Sequence, residues 1–64
     1  MIHFDFNNLI IDKYKSILKI SDDEIVVLIN KKTVFIKGVD MYINYFEKDE
    51  FEVKGKINKI EVFD

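Results

Sequence analysis

The stretch "EIVVLINKKTVFIKG", Glu24 to Gly38, decides how this 64-residue chain folds. Its first half alternates at period two and is apolar on both faces, with Ile25, Val27 and Ile29 on one and Val26 and Leu28 on the other. Such a pattern is typical of a central strand that is covered on both sides. "NKK" is a turn signal, after which the alternation resumes through Val34 and Ile36. The stretch therefore predicts a β-hairpin that pairs residues 24–30 with residues 33–37.

The end of this stretch, "VFIKG", returns seventeen residues later as "FEVKG", Phe51 to Gly55. Gly38 and Gly55 are the two glycines of the chain. A residue without Cβ allows a positive φ, or a close approach of two backbones, where a strand bends. Both glycines are therefore predicted to be structural corners, and two copies of the unit are too few to predict a solenoid.

Downstream of Gly38, "GVD" is predicted to reverse the chain into a new strand, "MYINYF". The acidic "EKDE" is predicted to form the next turn, and "FEVKGKI" the strand after it. The apolar alternation of that strand changes parity before Ile60. One extra residue near Asn58 and Lys59 explains the change, so we predict a β-bulge there.

Upstream of the hairpin, residues 9–20 admit two readings. A helical spacing, capped by Asn7 or Asn8, connects Ile10, Tyr14, Ile17 and Leu18. The alternative is a hairpin in which "FNNLIID" turns through "KYKS" into "ILKIS". The β-branched residues and the strand-rich remainder of the chain favour the hairpin.

Composition gives the fold class. The chain has no alanine and three leucines, and isoleucine, valine, phenylalanine and tyrosine dominate its apolar residues. We predict a single all-β domain, residues 1–64, with residues 1–10 as a short N-terminal segment. Five to seven short strands would form an antiparallel β-meander that closes into a compact sandwich or roll, with a solenoid-like stack as a variant.

Charge and composition narrow the class of partner and the location. The net charge is −2, and ten lysines, with no arginine, are interleaved with twelve acids. This pattern predicts no strong field for nucleic acid or anionic lipid. Cysteine is absent, no apolar run approaches the roughly 18 residues of a membrane span, and the N-terminus lacks a secretory pattern. We expect a cytoplasmic protein that does not insert into a membrane.

Residues that carry chemistry are sparse. His3 has no second histidine or cysteine with which to bind a metal, and Ser16 and Ser21 have no histidine at a motif spacing. "SDDE" and "EKDE" lack the ligand spacing of a calcium loop. We therefore expect no catalytic residue, no metal site and no cofactor.

Three aromatic side chains, Phe35, Tyr42 and Phe63, fall outside the alternating core positions, which are Val34, Ile36, Met41, Ile43, Ile60 and Val62. They predict an apolar sheet face that another molecule covers, so we expect a homo-oligomer. Two alternatives remain open: the rings form a second core layer, or they stack bases in a small nucleic-acid-binding β-barrel. Acids flank these aromatics as often as lysines do.

From Ile11 onward, "IIDKYKSILKISDDEIVVLINKKTVFIKGVDMYINYFEKDEFEVKGKINKIEVFD" resembles the YabP/YqfC family of small sporulation proteins. The opening motif of the family falls on Ile11, Asp12 and Tyr14, and its "I-x-I-x-G-x-x-L-x-I" unit on Val34, Ile36, Gly38, Met41 and Ile43. Its closing "I-x-G-x-I" falls on Val53, Gly55 and Ile57. Asp12, Lys13 and Ser16 depart from the residues that are common in the family.

The resemblance implies an endospore-forming bacterium and a non-enzymatic role in assembling the spore envelope, either cortex or coat. It also implies a membrane-protein partner, through which the protein would reach the membrane surface of the developing spore. A generic oligomerising structural protein and a nucleic-acid-binding module are the alternative functions. The pattern consists of apolar spacing and glycines, and it names no catalytic residue.

Overall fold

A computed structural model of the chain describes residues 2–5 and 8–64. These residues form six β-strands and no helix. The strands are β1 (Ile2–Asp5), β2 (Asn8–Asp12), β3 (Ser16–Ile20), β4 (Glu24–Ile29), β5 (Lys32–Glu47) and β6 (Glu50–Phe63). The prediction of an all-β fold is confirmed, with two strands much longer than expected.

The strands form one antiparallel sheet in the order β1-β2-β6-β5-β4-β3. Strands β3 to β6 follow one another as a meander, but β2 pairs with the far side of β6. Only the first part of β6, residues 50–54, pairs with β2, whereas its last part, residues 59–63, pairs with the start of β5. The two long strands therefore join two half-sheets.

We call these the β2 half-sheet and the β4 half-sheet. The first contains β1, β2 and residues 42–47 and 50–54, and the second contains β3, β4 and residues 32–39 and 56–63.

Chain connectivity shows that the sheet cannot be flat. Strands β2 and β3 lie at opposite sides of β6, β5 and β4, which is about 19 Å apart at the usual strand spacing. Three residues, 13–15, connect them, and these can span at most about 14 Å between Asp12 and Ser16. The sheet therefore folds over, so that the two half-sheets pack against each other.

The core lies between the half-sheets. Side chains of both contribute to one buried apolar cluster, which comprises Leu9, Ile11, Ile25, Val27, Val34, Ile36, Met41, Phe51 and Val53. Of the predicted core positions, Val34, Ile36 and Met41 are buried, and Ile43 and Ile60 pack against the cluster. Val62 is 52% exposed, which corrects the prediction, because it lies near the end of β6 at the margin of the sheet. Leu9 belongs to the predicted N-terminal segment and is fully buried.

Gly38 and Gly55 lie where the long strands bend. A Cβ on Gly38 would lie 2.2 Å from the carbonyl oxygen of Lys56, and a Cβ on Gly55 would lie 2.6 Å from that of Asp40. Gly55 also has a φ of 129°. Gly38 is thus required by close backbone approach and Gly55 by both approach and φ, as the sequence predicted.

The β-bulge predicted near Asn58 and Lys59 is confirmed. Lys37 pairs with Lys59, but the next pair joins Gly38 to Ile57, so Asn58 is the extra residue. A second shift lies between Val39 and Tyr42, and it places Asp40 and Met41 opposite Gly55.

The predicted chain reversal at "GVD" is wrong, since β5 continues through it to Glu47. Asp40 takes a left-handed φ of 54°, so the strand bends there instead of turning back. The loop between β3 and β4 fixes this bend. The amide of Gly38 donates to the carbonyl oxygen of Asp23 at 3.1 Å, and the amide of Met41 donates to that of Asp22 at 2.8 Å. The turn predicted in "EKDE" is present at residues 48–49.

Residues 9–20 are extended and not helical, but β2 and β3 do not form the predicted hairpin with each other. Strand β2 pairs with β1 and β6, and β3 pairs with β4. The connection over residues 13–15 carries the chain from one half-sheet to the other. Asn7, one of the two caps considered for a helix, lies outside the described residues. The hairpin of β4 and β5 is confirmed, with Val27 opposite Val34.

Candidate functional site

Two of the three aromatic residues predicted as an interaction face lie together. The rings of Phe35 and Phe63 meet edge to face, with their centroids 5.5 Å apart and their planes at 85°. Both project from the outer side of the β4 half-sheet, since Val34 and Ile36 occupy the inner side. Phe63 is 52% exposed.

Tyr42 lies elsewhere. It pairs with Lys54 in the β2 half-sheet and projects from the outer side of that half-sheet, because Met41 faces the core. The two half-sheets pack through their inner sides, so their outer sides point away from each other. Tyr42, 55% exposed, therefore does not share a surface with Phe35 and Phe63. The sequence placed all three on one face because it did not reveal that β5 folds over at Asp40.

The outer side of the β4 half-sheet carries an apolar patch, which we call the outer apolar face and which comprises Val26, Leu28, Phe35 and Phe63. Val26 pairs directly with Phe35, and Leu28 pairs with Thr33, which in turn faces Phe63. Sequence analysis placed Val26 and Leu28 on the second side of the central strand, from their alternation with Ile25 and Val27, and predicted that this side is covered. Val26 is 7% exposed and Leu28 is partly buried, so much of their surface is already covered within the chain.

Ion pairs surround the outer apolar face. Lys19 Nζ lies 2.8 Å from Glu24 Oε1, and this carboxylate raises the pKa of Lys19. Lys37 and Lys59 lie 3.6 and 3.3 Å from the carboxylate of Glu61. The rim thus presents both signs of charge in neighbouring positions.

Strand β3 extends this surface at the edge of the sheet. It pairs with β4 on one side and is the last strand in the order, so its other side offers backbone donors and acceptors. Leu18, at a bulge in β3, is 57% exposed, and Ile20, which pairs with the core residue Ile25 and so lies on the inner side of the sheet, is 47% exposed. An edge strand with apolar side chains next to an apolar face is suited to pairing with another strand.

The outer side of the β2 half-sheet is polar by contrast. Glu52 is 8% exposed, and its Oε1 accepts a hydrogen bond of 2.8 Å from Asn44 Nδ2. The hydroxyl of Tyr45 donates to Glu50 Oε2. This hydrogen bond, together with burial, raises the pKa of Tyr45 to about 12. These contacts satisfy the outward polar groups within the face itself.

Two of the residues considered for catalysis or metal binding, His3 and Ser21, have structural partners. His3 Nε2 lies 3.3 Å from Asp12 Oδ2, an exposed contact between β1 and β2. The Ser21 hydroxyl accepts a 3.1 Å hydrogen bond from the amide of Glu24 and so shapes the turn between β3 and β4. Within residues 2–5 and 8–64, no group of three histidines, cysteines or acids is placed to hold a metal ion.

Two clefts that the sequence did not predict lie on the surface. One, of about 680 Å³, lies at the bend beside Tyr42 and is lined by Asn8, Tyr42, Lys54, Gly55 and Lys56. The other, of about 560 Å³, has four lysines in its lining, two in the β2–β3 connection and two at residues 31–32.

Among the described residues, no helix is present that could cross a membrane. Comparison with protein-family models, with curated proteins and with solved structures finds no match to this chain. Proposals about its function therefore rest on its residues, their geometry and the sequence resemblance described above.

Proposed function

We propose that this chain is a non-catalytic sporulation protein that acts in assembling the spore envelope, cortex or coat, through protein–protein association. Two things support the proposal: the resemblance of residues 11–64 to the YabP/YqfC family, and a surface built for association. The observation that carries the association is the outer apolar face lying beside the open edge of β3.

The area that a stable interface needs favours one that includes both the outer apolar face and the edge of β3. Within the outer apolar face, Phe63 is 52% exposed, Leu28 and Phe35 are partly buried and Val26 is 7% exposed. A stable interface buries about 1,000 Å² or more in total. Pairing at the β3 edge adds backbone hydrogen bonds and brings Leu18 and Ile20 into the contact. An interface that uses both the edge and the face therefore covers more surface than the face alone.

The charges at the rim favour a second copy of the chain as the partner. In an interface with two-fold symmetry each surface meets the same surface of the second copy. A rim with charges of one sign would therefore repel the identical rim of that copy. Here Lys19 stands beside Glu24 and Lys37 beside Glu61, so rotation of a copy can set lysines against glutamates. A membrane-protein partner would then hold the oligomer at the surface of the developing spore membrane, on the cytoplasmic side.

The experiment uses a fluorescent fusion in an endospore-forming bacterium. The wild-type fusion should concentrate around the developing spore, and Phe35→Ser with Phe63→Ser should disperse it. Tyr42→Ser, which alters an exposed aromatic on the opposite surface, is the matched control and should localise as the wild type does.

Two other results would decide against the proposal. A wild-type fusion that oligomerises in vitro but stays diffuse throughout sporulation would indicate a generic structural protein. Salt-sensitive capture of labelled single-stranded DNA or RNA at the outer apolar face would indicate a nucleic-acid-binding module.

A further inference from the structure

The lysine cleft gathers four of the ten lysines of the chain at one end of the molecule. It has a volume of about 560 Å³ and is lined by Lys13, Tyr14, Lys15, Asn30, Lys31 and Lys32. These residues come from the β2–β3 connection, from the turn at residues 30–31 and from Lys32, the first residue of β5. The two segments meet because the Lys15 amide donates to the carbonyl oxygen of Leu28 at 2.7 Å.

Backbone contacts hold the cleft in shape. The Lys13 amide donates to the carbonyl oxygen of Asp49 at 2.8 Å, and the Tyr14 ring meets Phe51 edge to face with centroids 5.1 Å apart. Lys13 and Asn30 have left-handed φ angles of 56° and 55°. Asn30 belongs to the two-residue turn between β4 and β5, where a left-handed φ is usual, and Lys13 lies in the β2–β3 connection. The backbone beneath the lysine side chains is therefore held by these contacts and by the turn geometry.

The charges of the cleft are poorly compensated by the protein. In the part of the chain that the structure describes, Lys32 is the one lysine of the cleft with an ion-pair partner, Asp64, at 3.7 Å. The Asp64 side chain is 91% exposed, so this pair is a weak surface contact. The cleft lining thus carries four positive charges and one weak ion pair. The net charge of −2 conceals this local excess of positive charge.

We propose that the lysine cleft binds a compact anion that carries two or more phosphate groups. Lysine supplies a point charge with three donors and no fixed fork, which suits phosphate oxygens in varied orientations. One phosphate can meet the lysines of one loop, whereas linked phosphates reach both loops. The volume lies within the range of small-molecule sites. This inference does not depend on the proposed role in spore envelope assembly.

Calorimetric titration with tripolyphosphate and with orthophosphate tests the proposal on the intact chain. Tripolyphosphate should bind about tenfold more tightly than orthophosphate, and its affinity should fall when the salt concentration rises from about 0.05 to 0.2 M. Lys15→Gln with Lys31→Gln should weaken tripolyphosphate binding about tenfold.

The matched control is Lys54→Gln with Lys56→Gln, which removes the same charge from the cleft beside Tyr42. It should leave tripolyphosphate affinity within about twofold of the wild type. An equal loss in both double variants would show that net charge and not the lysine cleft governs binding, and absence of wild-type binding would also overturn the proposal. Circular dichroism melting of each variant confirms that it is folded.

Vesicles distinguish the two sources of such a phosphate. Binding to vesicles with a polyphosphorylated headgroup that free tripolyphosphate competes away supports the lysine cleft as a phosphate site on a lipid. Binding to any anionic vesicle, without competition by tripolyphosphate, would instead indicate a general membrane-surface attraction and would contradict the proposal.

Discussion

The outer sides of the two half-sheets follow the same period-two alternation but differ in what they do with their outward positions. On the β2 half-sheet, Glu52 and Tyr45 are hydrogen-bonded within the face. On the β4 half-sheet, Phe35 and Phe63 contact each other and leave apolar surface exposed to water. The first face pairs these polar groups internally and exposes one aromatic ring, Tyr42, whereas the second gains free energy when another surface covers its two neighbouring rings. Period-two alternation decides which side chains point outward. The polarity of those side chains then decides whether that side of the sheet is stabilised by a partner.

The largest loss of stability is expected from a substitution in the core that both half-sheets share. Phe51 is fully buried and contacts the rings of Tyr14 and Phe46. We expect Phe51→Ala to lower the free energy of unfolding by about 3–5 kcal/mol. Phe63→Ala, at a half-exposed ring of the outer apolar face, should cost about 1 kcal/mol or less. Urea denaturation measures both, and equal losses would contradict the assignment of inner and outer sides.

The next largest loss of stability is expected from substitutions of the two glycines at the bend between the half-sheets. Gly38→Val and Gly55→Val each force a Cβ against backbone atoms, so we expect each to cost about 2–4 kcal/mol. Asp40→Gly is the control, since glycine adopts the left-handed φ of this residue without strain. Its melting temperature should match or exceed that of the wild type. Unchanged melting of both valine variants would show that the bend does not require glycine.

The smallest expected effect is a change in the pH dependence of stability, and it tests a hydrogen bond on the polar outer side of the β2 half-sheet. The pKa of Tyr45 is raised to about 12 from the ordinary value of 10.0 by its hydrogen bond to Glu50. Because the folded-state pKa is the higher one, this stabilisation is complete below about pH 10 and is lost as the pH rises toward 12. Tyr45→Phe should show a smaller fall in stability over that interval. Identical pH profiles of the two proteins, measured by denaturation, would exclude the assigned hydrogen bond.

The hairpin of β4 and β5 and the bulge at Asn58 were predictable from the sequence, because both follow from local alternation and its parity. The bend at Asp40 was not, since "GVD" fits a bend and a reversal equally well by residue type. Deciding between them requires the hydrogen bonds from the amides of Gly38 and Met41 to the carbonyl oxygens of residues 22–23, which lie in a different part of the chain.

Adjacency in the sequence did not by itself decide which strands pair. Residues 8–12 and 16–20 are strands as predicted, but their partners are β6 and β4. Alternation identifies a strand and its faces, and it carries no information about which distant strand lies beside it. The same limit applies to the lysine cleft, since residues 13–15 and 30–32 meet only after β3 has paired with β4.

The separation of Tyr42 from the other two aromatics has the same origin. Counted along the chain, Phe35 and Tyr42 are both outward positions of one long strand. Because that strand folds over at Asp40, the same outward direction leads to opposite surfaces of the molecule. The predicted interaction face thus reduces to Phe35 and Phe63, with Val26 and Leu28 added by the structure.

Sedimentation velocity over a range of protein concentrations tests the central claim, association through the outer apolar face, most directly. The wild type should form a concentration-dependent oligomer, and Phe35→Ser with Phe63→Ser should sediment as a folded monomer. Tyr42→Ser should behave as the wild type does, and Phe63→Lys provides a milder second variant should the double variant unfold. A wild type that is monomeric at high micromolar concentration, or a double variant that still assembles, would contradict the account.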